Sequence, residues 1–174
     1  MITQRDFHLV EIAGVKRKLP LFEVNPGLRI AILNILGDTE LVQAAAEAIN
    51  QKLAGVSYDV LVTAEAKSIP LICALAAIAD KPYVVLRKEY KPYMGDAARA
   101  ETLSITTGKP QTLYLDQKDR KLLSGNRVVI VDDVISTGST LQGIRMIINK
   151  TGADVIAEAA IFTEGERAEW EHII

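Results

Sequence analysis

Mostly apolar runs of four to eight residues recur in the second part of the chain, and this length is typical of buried β-strands. The runs are Val60–Thr63, Tyr83–Leu86, Val128–Val131 and Val155–Phe162. They are rich in valine, isoleucine and leucine. We therefore predict four strands between residues 60 and 162.

Helical spacing appears between these strands. After Asp38 or Thr39, either of which can cap a helix, apolar residues recur every fourth position until Gly55. Ile69–Ala79 has helical length and carries Pro70 in its first turn, where a missing N–H costs little. A third helix is predicted before the last strand. Strands that alternate with such helices favour βαβ units and a parallel sheet covered on both faces, with ligands at the carboxyl ends of the strands.

The first 37 residues follow a different pattern. Two short extended runs, His8–Ala13 and Lys18–Val24, flank Gly14 and predict a small β-hairpin. We therefore divide the chain into an N-terminal hood or flap, residues 1–37, and an α/β core, residues 38–174.

The pattern turns polar again after the second core strand. Arg87–Ala100 is charged and punctuated by glycine and proline, which predicts a long loop. Two short runs, Leu103–Thr106 and Thr112–Leu115, then flank Gly108–Pro110 and predict a second hairpin.

Composition narrows the classes of function. The chain has 174 residues, 49% of them hydrophobic and 24% charged, and a net charge of −2. These values fit an ordinary globular domain and argue against a general nucleic-acid binder. One cysteine and two distant histidines, His8 and His172, disfavour a disulfide framework and a metal site built from such residues. No apolar run approaches a membrane span and no signal peptide is visible, so we expect a cytoplasmic protein.

The segment VVIVDDVISTGST, residues 128–140, carries the strongest chemical signal. An apolar strand leads to two consecutive carboxylates, Asp132 and Asp133, and a run of hydroxyl residues around Gly138 then opens a helix. Helix N-termini present unpaired N–H groups and partial positive charge, so this turn can cradle a phosphate. The carboxylates suit the vicinal hydroxyls of a sugar or a divalent metal ion. Together these features indicate a ribose 5-phosphate site.

This segment resembles the phosphoribosyl pyrophosphate (PRPP) signature of type I phosphoribosyltransferases, and the order of elements from residue 41 to 162 is similar to that of the family. The resemblance implies an open parallel-sheet α/β core, a small N-terminal hood over the base and a mobile loop. It assigns the ribose 2- and 3-hydroxyls to Asp132 and Asp133. It assigns the 5-phosphate to Ser136, Thr137, Gly138, Ser139 and Thr140.

Two further segments resemble pyrophosphate-binding segments of adenine phosphoribosyltransferases. The first is similar to their Glu-Ala-Arg-Gly stretch, with Lys67 in place of the arginine and Ser68 in place of the glycine. Members of the family often have a non-proline cis peptide in this loop. The second, Arg87–Pro92, resembles their Arg-Lys-x-Gly-Lys-Leu-Pro segment. The pyrophosphate-binding residues implied are Glu65, Ala66, Lys67, Ser68, Lys88 and Lys91.

The base site has weaker markers. Phe22 and Val24 lie where adenine and xanthine enzymes place hood residues, so we expect them to contact the base; Phe22 could instead be a core residue. Val134 lies where the family packs an apolar residue on the other face of the base. Thr106 stands where adenine enzymes have a glutamate thought to assist proton transfer. Proton removal from the base is therefore left without a side-chain candidate.

The resemblance as a whole implies a purine phosphoribosyltransferase, with adenine slightly preferred as the acceptor. Such an enzyme joins a purine nitrogen to C1 of PRPP with inversion and releases pyrophosphate. The implied catalytic residues are Lys67, Asp132 and Asp133, and the implied cofactor is Mg²⁺, carried by PRPP with the two aspartates as candidate ligands. The expected partners are PRPP, a nucleobase and a second copy of the chain in a homodimer, but neither nucleic acid nor a membrane.

Three alternatives stay open. Xanthine-type relatives also lack the loop glutamate, and so does a PRPP-sensing repressor built on the same fold. A non-catalytic nucleotide sensor is therefore the rival from another class. Lys67 and Lys88 favour the enzyme, because a sensor need not stabilise a leaving group. The Asp132–Thr140 string also resembles that of orotate enzymes.

Overall fold

A computed structural model describes residues 6–103 and 110–174. Within these residues no helix is long and apolar enough to cross a membrane. The strands are β1 Phe7–Ile12, β2 Val15–Asn25, β3 Leu28–Ala31, β4 Val60–Ala64, β5 Tyr83–Leu86, β6 Ala98–Leu103, β7 Pro110–Leu115, β8 Arg127–Ile135 and β9 Asp154–Thr163. The helices are α1 Thr39–Lys52, α2 Ile69–Ala79, α3 Arg120–Leu123 and α4 Ser139–Thr151, with 3₁₀ turns at Pro92–Met94, Gln117–Asp119 and Arg167–Trp170.

The central sheet has the strand order β5-β4-β8-β9, and all its pairings are parallel. β4 is buried throughout and β8 nearly so, as expected for apolar strands covered on both faces. One face packs against α1 and α2, and the other packs against α4 and the β6–β7 hairpin. The predicted α/β class with an open parallel sheet is confirmed. The carboxyl ends of β4 and β8 meet at one edge of this sheet.

The N-terminal segment forms a three-stranded antiparallel sheet in the order β1-β2-β3. Leu19 on β2 is buried in the same apolar cluster as α1 and α2. From β2, Arg17 Nε and Nη2 donate hydrogen bonds of 2.7 and 2.9 Å to Asp38, the N-cap of α1. Asp38 also accepts from the backbone N–H of Leu41 at 3.2 Å. The Arg17 guanidinium holds the pKa of Asp38 below its usual range. One side chain thus caps α1 and ties the N-terminal sheet to the core.

Several elements differ from the sequence prediction. The pattern does not predict β3, which is only four residues long and follows a turn. Nor does it predict the short α3. β6 begins at Ala98, inside the segment predicted as a loop, because its polar sequence hides that Ala100 and Thr102 are buried on one face. β8 continues to Ile135, so Asp132 lies within the strand and pairs with β9 rather than following the strand.

Two sequence predictions stay untested by these elements. The segment 104–109 lies outside the described residues, and with it Thr106 and most of the predicted run at 103–106. The flanking strands β6 and β7 nevertheless pair antiparallel, as expected for the second hairpin. The division of the chain at residues 37 and 38 stays a prediction.

Candidate functional site

A cleft of about 490 Å³ opens at the edge where the parallel strands end. The loop after β4 and the end of β8 form one part of its wall, and β3 with the residues that follow it forms another. The lining residues are Ile30, Ala31, Ile32, Leu33, Ala64, Glu65, Ala66, Lys67, Ser68, Lys88, Asp132, Asp133, Val134, Ser136, Thr140 and Glu164. Residues far apart in the sequence, which the resemblance assigns to one ligand, therefore come together.

Two adjacent carboxylates lie at the end of β8, and both are buried. Asp132 and Asp133 are only 9% and 6% exposed. Asp132 Oδ1 accepts a hydrogen bond of 2.9 Å from the backbone N–H of Asp133. Burial raises the pKa of Asp132 to about 7, and the neighbouring charge of Asp133 adds to this. Asp133 Oδ2 is buried and, among the described residues, accepts no hydrogen bond. Buried polar atoms normally have partners, so this pair is suited to hydroxyl donors or a cation.

Lys67 brings a positive charge to these carboxylates. It belongs to the loop between β4 and α2, in which the Glu65–Ala66 peptide is cis, as the resemblance implies. Lys67 Nζ lies 3.1 Å from Asp133 Oδ2, in an ion-pair contact that lacks hydrogen-bond geometry. It also donates to the carbonyl of Leu33 at 3.3 Å. Because the side chain is half exposed, the ammonium group can move within the cleft without a large desolvation cost.

Glu65 does not present a free carboxylate to the cleft. Its Oε1 accepts a hydrogen bond of 2.6 Å from the backbone N–H of Lys88, and its Oε2 lies 2.5 Å from Arg87 Nε in an ion pair. These contacts tie the loop after β4 to the end of β5. Lys88 lines the cleft. Lys91 does not line it; its ammonium donates to Glu89 at 2.7 Å.

The hydroxyl of Ser68 is used for structure. Ser68 is buried, its Oγ donates to the carbonyl of Ala64 at 2.9 Å, and it accepts from the hydroxyl of Thr63 at 2.8 Å. Ser68, which stands where the adenine enzymes have a glycine, is therefore hydrogen-bonded to β4. Of Ala66 and Ser68, both in the cleft wall, only Ala66 is exposed.

Residues 136–140 turn from β8 into α4 around a small cavity of about 30 Å³. Gly138, the N-cap of α4, has φ +71°, a left-handed conformation that other residues rarely adopt. No described side chain caps the first N–H groups of α4, which leaves these donors for a ligand. The indole of Trp170 covers Gly138 from one side: a Cβ at this glycine would lie 3.0 Å from Trp170 Cη2.

The flap side of the cleft differs from the sequence prediction. Phe22 is 61% exposed, and neither Phe22 nor Val24 is among the lining residues. Val134 does line the cleft, and so does the Ile30–Leu33 segment, which the sequence pattern does not indicate. Phe22 pairs with Ile30 across the β2–β3 ladder. The apolar run that begins at Leu28 is the signal in the sequence that could have indicated this segment. The prediction rested instead on Phe22, an aromatic residue of the neighbouring strand β2.

Glu164 is a further lining residue that the sequence pattern does not indicate. It directly follows β9, so its position at the carboxyl end of a parallel strand was the available signal.

The residues present fit Mg²⁺ that arrives with a phosphorylated ligand. Mg²⁺ commonly binds one or two carboxylates together with substrate phosphates and water. The buried Asp133 Oδ2 without a hydrogen bond, next to Asp132, offers such a donor set. Within the described ranges there is no group of three or more acidic, histidine or cysteine side chains that could hold a metal ion. Asp132 and Asp133 are therefore the residues that would hold the ion.

Sequence comparisons agree with this geometry. Residues 31–173 match the model of the family described as phosphoribosyl transferase domain. The chain is 34% identical over 127 residues to a hypoxanthine/guanine phosphoribosyltransferase of Methanotorris igneus, which covers 73% of this chain. It is 35% identical over 115 residues to the protein of the same name from Methanococcus vannielii, which covers 66% of this chain. The matches span 66% and 58% of those two relatives' own lengths.

Solved structures have the same fold. An adenine phosphoribosyltransferase from Thermoanaerobacter pseudethanolicus superposes with a TM-score of 0.73 at 22% identity, covering 90% of this chain and 92% of that one. An adenine phosphoribosyltransferase from Saccharomyces cerevisiae, complexed with an imino-altritol bisphosphate and adenine, also gives a TM-score of 0.73, at 17% identity. It covers 97% of this chain and 93% of that one.

Proposed function

The chain belongs to the phosphoribosyl transferase domain family, and on this premise we propose that it is an enzyme that transfers ribose 5-phosphate from PRPP to a purine base. The products are a nucleoside monophosphate and pyrophosphate. One observation supports this proposal above the others: two buried carboxylates, a turn at an uncapped helix start and the lysines Lys67 and Lys88 all lie around one cleft.

The carboxylates and the turn hold the ribose 5-phosphate. Asp132 and Asp133 accept hydrogen bonds from the ribose 2- and 3-hydroxyls. Their charge offsets the cationic character that develops at C1 as its bond to the pyrophosphate oxygen breaks. The backbone N–H groups and hydroxyls of residues 136–140 bind the 5-phosphate. The purine nitrogen then attacks C1 from the opposite side, with inversion.

The lysines meet the leaving pyrophosphate. Lys67 leaves its ion pair with Asp133 when PRPP enters, because the diphosphate carries more negative charge than one carboxylate. Lys88 adds a second cation, and Ala66 contributes exposed backbone to the same wall. Asp132 and Asp133 would hold Mg²⁺, which would supply positive charge against the diphosphate. We assign Glu65, Ser68 and Lys91 to holding the shape of the loops, because their polar groups are engaged by protein partners. Catalysis by these residues consists mainly of positioning and charge stabilisation.

The acceptor base is proposed from sequence similarity. The relatives at 34–35% identity are named hypoxanthine/guanine phosphoribosyltransferases, so we favour a 6-oxopurine over adenine, to which the sequence analysis gives a slight preference. The similarity to adenine enzymes at 17–22% identity concerns the fold. Val134 and the Ile30–Leu33 segment offer apolar surfaces on which a purine ring could be held. A homodimer, a cytoplasmic location and a separate flap of residues 1–37 remain proposals.

Turnover with a panel of bases tests the function. Pyrophosphate release is measured with PRPP, Mg²⁺ and each of guanine, hypoxanthine, xanthine, adenine and orotate. We expect turnover with at least one purine and none with orotate. Tight PRPP binding without turnover of any base would support the rival function, a non-catalytic nucleotide sensor.

The phosphate site has a matched pair of glycines for a binding test. Gly138 and Gly152 flank α4 and have φ values of +71° and +72°, so a valine at either position carries a similar backbone strain. Only Gly138 lies at the cavity. In calorimetry Gly138→Val should weaken PRPP binding at least about tenfold, because a Cβ at this position meets Trp170 at 3.0 Å and so displaces the turn that binds the phosphate. Gly152→Val should leave the affinity unchanged. Equal affinities in both folded variants would rule out the phosphate assignment.

A further inference from the structure

Glu164 is an acidic residue in the cleft to which the proposed chemistry gives no role. It follows β9 and lines the main cleft together with Val134 and the Ile30–Leu33 segment. It does not line the small cavity at residues 136–140. Glu164 therefore lines the main cleft and not the small cavity, although its backbone N–H bonds to Ile135, which directly precedes the phosphate turn.

The backbone of Glu164 is fixed on both sides. Its N–H donates to the carbonyl of Ile135 at 2.8 Å, and its own carbonyl accepts from Trp170 Nε1 at 2.7 Å. Its carboxylate forms no ion pair or hydrogen bond with any side chain that the structure describes. A fixed backbone with a carboxylate at the cleft suits recognition of a ligand group at one place.

Charge decides which part of the ligand can meet Glu164. A carboxylate repels the 5-phosphate and the pyrophosphate, which have their own sites at residues 136–140 and at Lys67 and Lys88. The ribose hydroxyls have Asp132 and Asp133. The base is the remaining part, and an ionised carboxylate accepts hydrogen bonds without donating any. Glu164 therefore fits a base edge that presents N–H donors.

We propose that Glu164 reads the base and selects guanine, an inference that rests on the proposed function. Guanine presents N1–H and its 2-amino group side by side, two donors for the two carboxylate oxygens, and paired charge-assisted bonds of this kind are strong. Hypoxanthine presents only the N1–H. Xanthine places a carbonyl oxygen, and adenine an unprotonated N1, against the carboxylate. The order of preference is then guanine first, hypoxanthine second, and xanthine and adenine last.

Base discrimination in Glu164→Gln tests the proposal, with Glu166→Gln as the matched control. Glu166 is exposed two residues further along and does not line the cleft. The ratio of kcat/KM for guanine to that for hypoxanthine should fall about tenfold or more in Glu164→Gln, as expected for loss of a charge-assisted hydrogen bond. The activity with xanthine relative to hypoxanthine should rise, because the repulsion is removed. Glu166→Gln should change neither ratio.

A binding measurement separates this inference from the proposed function. GMP and IMP differ only in the 2-amino group, so their affinities in calorimetry report on base reading even if no base is turned over. Wild-type protein should bind GMP more tightly than IMP, and Glu164→Gln should lose most of that difference. Equal loss of affinity for both nucleotides, or an unchanged ratio, overturns the role of Glu164. Absence of turnover with an intact GMP preference overturns only the enzyme.

Discussion

The proposed ribose-phosphate end of the cleft is built from one stretch of nine residues, 132–140, whereas the proposed base end combines Val134 of that stretch with two distant segments, Ile30–Leu33 and Glu164. At the first end the two carboxylates are buried, and Asp133 keeps spare hydrogen-bonding capacity. The second end is mostly apolar and has one carboxylate, that of Glu164. The contrast indicates that recognition of ribose and phosphate is local in the sequence, whereas choice of the base depends on how distant segments pack.

The largest effect is expected at the ribose-phosphate end. Asp132→Asn and Asp133→Asn should each lower kcat/KM by about 10²–10³-fold, because each removes charge next to the developing cation and weakens a hydrogen bond to the ribose. Steady-state kinetics measure the loss, and thermal unfolding shows whether the variants fold. Asp154→Asn, exposed at the start of β9, is the control. Full activity in both variants, or loss of the fold in both, would contradict the ribose role.

Two of the three lysines that the resemblance assigns to pyrophosphate, Lys67 and Lys91, should behave differently. Lys67→Ala should lower kcat by about 10²-fold with a smaller change in affinity for the nucleoside monophosphate, because its charge acts as the C1–oxygen bond breaks. Lys91→Ala should change kcat less than about threefold, since Lys91 pairs with Glu89 outside the cleft. The measurements are kcat and product affinity for both variants. If Lys67→Ala lost kcat and product affinity equally, Lys67 would be a general phosphate-binding residue and not one that acts mainly in the transition state.

The buried Asp132 should make stability depend on pH in the ligand-free, metal-free protein. Its pKa in the folded state is about 7, raised by burial and by Asp133, against about 4 in an unfolded chain. The folded state therefore binds more protons, and the free energy of unfolding should fall as pH rises from about 4 to about 7. The full shift corresponds to about 4 kcal/mol, and we expect about 2 kcal/mol after relaxation around the pair. Asp132→Asn should lose less stability than wild type between pH 5 and pH 8 in urea unfolding. Parallel pH profiles would show that Asp132 is not the group responsible.

The smallest effect is expected at Phe22. Stacking of Phe22 on the base would make Phe22→Ala raise the KM for the base ten- to a hundredfold. Phe22 is 61% exposed and does not line the cleft, so we expect the substitution to raise the KM for the base less than about twofold instead. Ile32→Ala, which removes an apolar side chain from the cleft wall, should raise the same KM about five- to tenfold, with little change in the KM for PRPP. A large effect at Phe22 and none at Ile32 would mean that the flap closes over the base differently.

The sequence by itself determined the parallel-sheet core and the motif to which we assign ribose 5-phosphate. Both depend on short-range patterns: continuous apolar strands, helical spacing, and a strand that leads through two carboxylates into a glycine-containing helix start. The extent of β8 was still underestimated, because carboxylates rarely continue a buried strand and pairing with β9 alone keeps Asp132 within it. The family resemblance singled out Lys67 in the loop after β4, but did not predict its contact with Asp133.

Only the tertiary structure decided what lies at the base end. Nothing in the local pattern distinguishes Ile32 from Phe22, since both are apolar residues of the flap; the β2–β3 pairing and the contact of that sheet with α1 decide which segment lines the cleft. In the sequence, Glu164 is an ordinary acidic residue after a strand. Only the fold brings it into the same cleft as Val134. Likewise, the hydroxyl of Ser68 is hydrogen-bonded to Ala64 of β4, and the carboxylate of Glu65 accepts a hydrogen bond from Lys88, just after β5. Such assignments depend on contacts between residues distant in the chain, and these form only when the sheet and flap pack together.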